Sequence, residues 1–325
     1  MTLSIIIVNY RSWESLEKCL ESLRDEASEQ PWEVIVVDNH SNDGRLQDFA
    51  ARHVSVRFIE SDWNSGFAAG CNQGAAQGSA PTLLFLNPDV IAEPGSIRAL
   101  LNVKLKSPDI VILSASQVDA RGRLGKVFDM FPDKLTWFRS VKYLLRRLRP
   151  DRYPNPRQPF TGLLDCDWVS GSVFMISRVD FGRLGGWRED YWIYSEDRDL
   201  CLRARRTGGR VVCSGDIRLI HAHGGASRQN ESISTLARTE AIISKHLFVH
   251  LNFCGLDRAV NHACVFASVV PGLVLSGLLD LLTLRRLKTL NGRSGVLLGL
   301  FRHYVQALRS GDWRSSRVAA REYPV

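Results

Sequence analysis

Two acidic clusters stand where this chain can do chemistry. One is Glu196-Asp197, with Asp199 two residues on, delivered by an aromatic-rich segment that starts at Trp192. Leu200 and Leu202 then begin an amphipathic helix, so the acids sit where a loop enters it. Helix N-termini favour negative charge, and a cap by Asp197 or Asp199 would account for part of the pattern. The other cluster is Asn87-Pro88-Asp89, just past the apolar run Leu83–Leu86. An acid beyond a buried strand can hold a divalent cation that bridges two phosphates. An acid at a helix entrance can take a proton from an attacking hydroxyl. Asp197 is the expected base, Glu196 its alternative, and Asp199 a cap or orienting group. In His221-Ala-His223 either imidazole could add a metal ligand or touch phosphate.

The elements that must position these groups alternate. Ser4–Val8, Trp32–Val37, Val54–Glu60 and Thr82–Leu86 read as strands. Between them lie helices after Ser12, over Leu46–Ala51, and over the small-residue stretch Gly66–Gly78. Such alternation predicts an α/β layer built on a mostly parallel sheet, with ligands beyond the carboxyl ends of its strands. Asn9-Tyr10, Asp38-Asn39 and Asn87–Asp89 each fall at such an end. Asp38 suits a base or ribose, because a carboxylate accepts two donors at once. Asn64–Gly74 lacks the dinucleotide spacing, since its glycines fall at 66, 70 and 74. They permit either close approach of a ligand, with Asn64 and Asn72 on one polar face, or a glycine zipper on the sheet. Ile110–Leu113, Trp168–Ile176, Val211–Cys213 and Ile217–His221 supply further strands, with a bulge or close approach at Gly171. Residues 150–163 read as an exposed loop. Trp168, Trp187, Tyr191, Trp192 and Tyr194 crowd the acidic cluster, and such rings either stack on sugars or pack in the core.

Composition narrows the class. The 325 residues are 45% hydrophobic and 23% charged, a globular balance. Seven scattered cysteines without a CxxC pair fit reduced thiols better than a disulfide framework or a zinc site. Ile5–Val8 is too short for the apolar part of a secretory signal and reads as a buried first strand. The net charge of +8 is unevenly placed. Residues 134–149 hold six basic residues and no acid, while residues 285–325 hold nine against two acids. Leu135, Phe138, Val141, Leu144, Leu145 and Leu148 recur at helical spacing among the first group, the pattern of a helix lying on anionic lipid. Nothing resembles a nucleic-acid-binding motif, so no nucleic-acid partner is expected.

Ser4–Tyr10, Val36–Gly44, Asn64–Gly74, Leu86–Asp89 and Tyr194–Asp199 together resemble glycosyltransferase family 2. The nearest subgroup is the bacterial rhamnosyltransferase-like enzymes of cell-surface polysaccharide synthesis. The motifs keep the family's order and cover roughly residues 1–230. The resemblance implies a GT-A fold, a Rossmann-like mixed sheet flanked by helices. It also implies inversion at the anomeric carbon by single displacement, with Mg²⁺ or Mn²⁺. Its nucleotide-contacting positions fall on Asn9, Tyr10, Asp38, Asn64 and Asn72; Asn39, Gly66 and Asn87 join them here as neighbours. The metal acid falls on Asp89, with His221 and His223 as candidate ligands, and the base on Asp197. Acceptor contacts are expected from Trp168, Gly171, Trp187, Tyr191 and Tyr194. The family's usual Asp-x-Asp is Asn-Pro-Asp in this chain, a departure shared by the rhamnosyl-like subgroup.

Two domains are expected: a catalytic one over 1–230 and a helical region over 231–325, with an apolar membrane-associating segment at 263–284. Pro271-Gly272 interrupts that segment, so a re-entrant or in-plane hairpin is expected rather than a span. The whole predicts a nucleotide-sugar donor, dTDP- or UDP-linked, and a lipid-linked glycan acceptor. It places the enzyme on the cytoplasmic face of the inner membrane, peripheral or monotopic; a homo-oligomer is compatible. Two rivals stand: a nucleotidyltransferase, which would have no use for the Glu196-Asp197 base, and a non-catalytic membrane-bound scaffold.

Overall fold

The computed structural model describes residues 1–27, 32–222, 231–282 and 292–318. His223 and the basic run at 285–288 lie outside them. Among the described residues, 1–27, 32–131, 155–189 and 196–222 form one compact unit. Residues 132–154, 190–195, 231–282 and 292–318 form another.

The first unit is built on a mixed sheet. Its strands β1 (Leu3–Asn9), β2 (Trp32–Asp38), β3 (Val56–Glu60) and β4 (Thr82–Leu86) are parallel, side by side in the order β3-β2-β1-β4. Four more strands belong to it: β5 (Val90–Ala92), β6 (Ile110–Val118), β10 (Val173–Ser177) and β11 (Arg210–His221). They extend it as β4-β10-β6-β11-β5, with β8 (Leu163–Asp165) also paired to β11. A separate ribbon joins β7 (Phe128–Asp129) to β9 (Trp168–Val169). Helices α1 (Trp13–Ala27), α2 (Leu46–Arg52), α3 (Phe67–Gln77) and α4 (Ser96–Lys106) follow strands in the first half. Beyond α5 (Arg139–Leu148) of the other unit, α6 (Arg178–Arg183) and α7 (Glu196–Arg206) complete the set.

β1 and β4 are buried throughout their lengths, because helices cover both faces of a parallel sheet. Two core clusters result, one around Leu3, Ile5 and Trp13, the other around Ile6, Phe85 and Trp187. Trp168–Ile176, expected as one strand, is two. β9 leaves in the ribbon, β10 enters the main sheet, and Ser170-Gly171-Ser172 turns between them. The two segments expected at 211–213 and 217–221 are instead one strand, β11, whose register with β6 shifts between Ser214 and Arg218.

The glycines of α3 resolve into packing. A Cβ on Gly70 would lie 2.9 Å from Val8 Cγ1, and one on Gly74 only 2.5 Å from Ile6 Cγ2. The helix therefore rides directly on β1. Gly74→Ala should destabilise by about 2 kcal/mol in a urea titration, because overpacking outweighs the gain in helix propensity. An unchanged or raised midpoint would show that α3 can lift off the sheet.

The second unit gathers α5, a 3-10 turn at Lys134–Trp137, and α8 (Glu231–Asn252), α9 (Gly255–Leu282) and α10 (Arg293–Ser310). Ile242, Ile243, Leu273, Val296 and Leu300 form its small core. The hairpin expected at Pro271-Gly272 is absent, for α9 runs unbroken with Pro271 inside it. Proline fixes a helix-compatible φ, so the exposed Pro271 is accommodated at the cost of one backbone hydrogen bond and crowding of the Ala267 carbonyl one turn before it.

Candidate active site

The carboxyl ends of β2, β1 and β4 are adjacent, and Asn9 pairs in register with Asp38. Their polar groups bind one another. Asp38, buried, accepts from Asn9 Nδ2 at 2.9 Å, Ser41 Oγ at 2.6 Å and Ser41 N at 3.0 Å. Asn39 donates through Nδ2 to Asn64 Oδ1 at 3.1 Å and to the Gly66 carbonyl at 3.0 Å. Its own Oδ1 accepts from Ser65 N at 3.1 Å. Arg11, His40 and Asn42 all take positive φ, so the loops are held in sparsely populated conformations by this network. Tyr10 and Asn64 are half-buried, at the rim of these loops. Asn72 stands apart: it donates to the Trp187 carbonyl at 2.8 Å and Glu189 Oε1 at 2.9 Å, and accepts from Trp187 N at 3.0 Å. Its amide fastens α3 to the segment before the acidic cluster.

Asp89 follows β4 and precedes β5, which runs antiparallel to β11 with Val90 opposite His221. That pairing sets His221 Nε2 3.1 Å from Asp89 Oδ1. Gln117 Oε1, near the end of β6, lies 2.7 Å from His221 Nδ1 and accepts from Ser172 Oγ at 2.9 Å. With the amide in this orientation, Nδ1 carries the imidazole proton and Nε2 presents its lone pair. A lone pair and a carboxylate oxygen facing each other need a positive charge between them, a proton or a metal. Asp89 and His221 are both slightly exposed, so such an ion would have room for phosphate oxygens. Among the described residues no group of three or more His, Cys, Asp or Glu could hold a metal, so a divalent cation here would take Asp89 and His221 plus phosphate oxygens, with Gln117 holding the His221 ring from behind. Gln117→Leu should raise the metal concentration for half-maximal activity by about 10–100-fold while leaving the protein folded. No change in that titration would remove His221 from the metal's surroundings.

The acidic cluster occupies the first turn of α7. Tyr194 and Ser195 both take φ of 69° just before it, a costly conformation for side-chain-bearing residues. Asp199 is fully buried and paired with Arg203 Nε at 2.8 Å and Arg188 Nε at 3.6 Å, an orienting pair. Asp197 is half-buried; its Oδ2 accepts from Gly171 N at 3.2 Å and its Oδ1 from Arg198 N at 2.7 Å. Burial pushes its carboxyl up, against the opposing pull of Arg198. Glu196 is more deeply buried, and burial plus the neighbouring Asp197 charge push it well above the carboxylate range. Two adjacent carboxyls raised by burial, Glu196 the more strongly, mark a candidate acid–base site.

The turn Ser170–Ser172 draws these pieces together. Gly171 N donates to Asp197, the Ser172 carbonyl accepts from Asn87 N at 2.9 Å, and Ser172 Oγ reaches the Gln117 that holds His221. Consecutive residues thus tie the candidate base to the candidate metal motif. Sequence reasoning found Gly171 but neither Ser172 nor Gln117. The signal for Gln117 was the polar run Ser114-Ala-Ser-Gln117 in a strand that is buried throughout, whereas Ser172 had none.

The aromatic candidates divide. Trp168 is buried, donates to the Met130 carbonyl at 3.0 Å, and carries the Arg198 guanidinium 5.0 Å from its ring centre. Trp187 lies 1% exposed, edge-on to Phe67 and Phe85. Both rings are walls rather than open platforms: that of Trp168 carries Arg198, and that of Trp187 packs on Phe67 and Phe85 while its backbone holds Asn72. Tyr191 and Tyr194 belong to the other unit, where Tyr191 is buried and Tyr194 exposed.

The family model "Glycosyl transferase family 2" matches residues 4–175. The chain is 31% identical over 261 residues to N-acetylglucosaminyl-diphospho-decaprenol L-rhamnosyltransferase of Mycobacterium tuberculosis, covering 72% of this chain and 80% of that one. It is 26% identical over 215 residues to the Escherichia coli rhamnosyltransferase WbbL, covering 64% and 78%. Among solved structures, a mannosyltransferase from Pyrobaculum calidifontis with GDP-Man and Mn²⁺ superposes at a TM-score of 0.54 and 16% identity, over 94% of this chain and 86% of that one. The last likeness is one of fold, and the fold is GT-A.

Proposed function

This chain belongs to glycosyltransferase family 2, and from that premise we propose an inverting, metal-assisted transfer of a deoxyhexose such as rhamnose. The donor is a dTDP- or UDP-linked sugar and the acceptor a lipid-linked or growing cell-surface glycan. The enzyme works on the cytoplasmic face of the inner membrane. One observation carries the chemical part: the Ser170–Ser172 turn, which bonds Asp197 on one side and Asn87 and Gln117 on the other.

In this account the Asp197 carboxylate takes the proton of the acceptor hydroxyl as its oxygen attacks the anomeric carbon. The bond from that carbon to the diphosphate oxygen breaks, its electron pair leaves with the diphosphate, and configuration inverts. Asp89 and His221 would hold Mg²⁺ or Mn²⁺, whose charge offsets that of the departing diphosphate. Asp38, held by Asn9 and Ser41, shapes the loop that meets the nucleotide and is the candidate acceptor for its base or ribose. Asn9, Tyr10, Asn39, Asn64, Gly66 and Asn87 make up the rest of that side. Asn72 serves as a positioning residue.

The test is transfer from dTDP-rhamnose to an N-acetylglucosaminyl diphospholipid, with the anomeric configuration of the product read by NMR. A product inverted relative to the donor supports the proposal. A retained configuration, or transfer of a nucleotidyl group with pyrophosphate release, would overturn it.

A further inference from the structure

We propose that the second unit carries a membrane-docking face, formed by α5 and the exposed stripe of α9, whose partner is an anionic lipid bilayer. α5 buries none of its ten residues. Tyr143, Leu144 and Leu148 are exposed at 67%, 53% and 67%, and the segment around them holds Arg139, Lys142, Arg146, Arg147 and Arg149 without one acid. Val141, Lys142, Leu145 and Arg146 are half-buried along one side, so Tyr143, Leu144 and Leu148 are left as an apolar strip turned to the surface, which an amphipathic helix stabilises best against something it lies on. α9 adds an exposed apolar stripe that itself holds no charge. Phe266, Val274, Leu275, Leu278, Leu279 and Leu282 recur at spacings of about one helical turn along one exposed side.

The structure joins the two helices, which the sequence could not show. Asn261 of α9 is fully buried and accepts from Lys134 N at 2.8 Å and Trp137 Nε1 at 2.9 Å. Its Nδ2 donates to Asp133 Oδ1 at 3.1 Å, and Lys134 Nζ pairs with Asp257 at 3.2 Å. The turn leading into α5 is therefore pinned to the first part of α9.

Charge selects the occupant. A second copy would set the same acid-free basic helix against itself, whereas anionic headgroups complement it and exposed leucines enter the acyl boundary. The other face of α9 packs on α8 and α10, which carry Arg238, Lys245, Arg302 and Arg309. Over Gly255–Asp280 α9 is long and apolar enough to cross a bilayer, but crossing would draw those charges toward hydrocarbon, which favours α9 in the interface plane.

The test is flotation of the purified full chain with vesicles of phosphatidylcholine alone or with one third phosphatidylglycerol, at low and high salt. Binding to the anionic vesicles should exceed binding to the neutral ones and weaken with salt. Arg147→Glu with Arg149→Glu should cut it by about tenfold or more, given what each basic residue contributes near such a surface. Leu275→Glu with Leu278→Glu should abolish insertion, read as loss of the salt-resistant fraction. Circular dichroism and donor hydrolysis confirm that each variant is folded. Equal binding to both vesicle types, or none, would overturn the proposal. So would a concentration-dependent dimer that the leucine variants dissolve. None of these readouts depends on which sugar the enzyme transfers.

Discussion

Asp197→Asn should lower kcat by about 10²–10⁴-fold, the usual contribution of a positioned base, with little change in the KM for the donor. Asparagine keeps the size of the side chain and can still accept from Gly171 N, but cannot take the acceptor proton. The pH dependence follows from the direction of the shift. Burial raises the Asp197 carboxyl, and the working form is the carboxylate. Activity is therefore lost as pH falls, with an acid limb above the range of an exposed aspartate.

Stability should move the opposite way. Glu196 and Asp197 are both raised in the folded chain, so folding favours their protonated forms. The pair costs stability above the ordinary carboxylate range, and that cost shrinks as pH drops through the raised values. Asp197→Asn should then unfold at a higher temperature than wild type at neutral pH while losing turnover, the signature of a strained functional site. A variant both less stable and fully active would remove Asp197 from the mechanism.

Asp89→Ala should cost about 10²–10³-fold in turnover, comparable to removing one preorganised group that stabilises departing charge. The loss should come with a failure of Mn²⁺ to stimulate what remains. His221→Ala should lose less, because the carboxylate supplies the charge and the imidazole only a neutral donor. The distinction matters, since Asp89 and His221 also form a contact that could serve stability alone. A titration of donor hydrolysis against Mn²⁺ separates the two roles. A structural pair would lower activity at every metal concentration without moving the midpoint.

What the sequence revealed followed the range of the interactions. Asn9, Asp38 and Asn87 were legible because each ends a strand whose apolar run is continuous, and parallel strands align their ends. The acids of α7 were legible because a helix start is a local event. The partners of these groups were not. That Gln117 faces His221 depends on the register between β6 and β11; Ser214-Gly215-Asp216 marked a break there, but not that the strand resumes the same ladder with a shifted register. That Asn72 holds the Trp187 backbone is a contact across 115 residues. The glycines at 70 and 74 admitted two readings, and only the 2.5 Å approach to Ile6 assigns Gly74 to packing. Pro271 misled because a proline inside a helix costs one hydrogen bond and crowds one carbonyl, and the packing of α9 on α8 and α10, a tertiary fact, outweighs that cost.

The most direct measurement is release of nucleoside diphosphate by the purified chain over a panel of nucleotide sugars, with Mn²⁺ and with chelator. The account requires one donor to be turned over with the metal and not without it, the signal vanishing in Asp89→Ala. Donor binding that persists in Asp197→Asn without turnover would complete the pattern. Absence of binding to every donor under any metal would contradict the catalytic reading and leave the chain as a scaffold that keeps the fold.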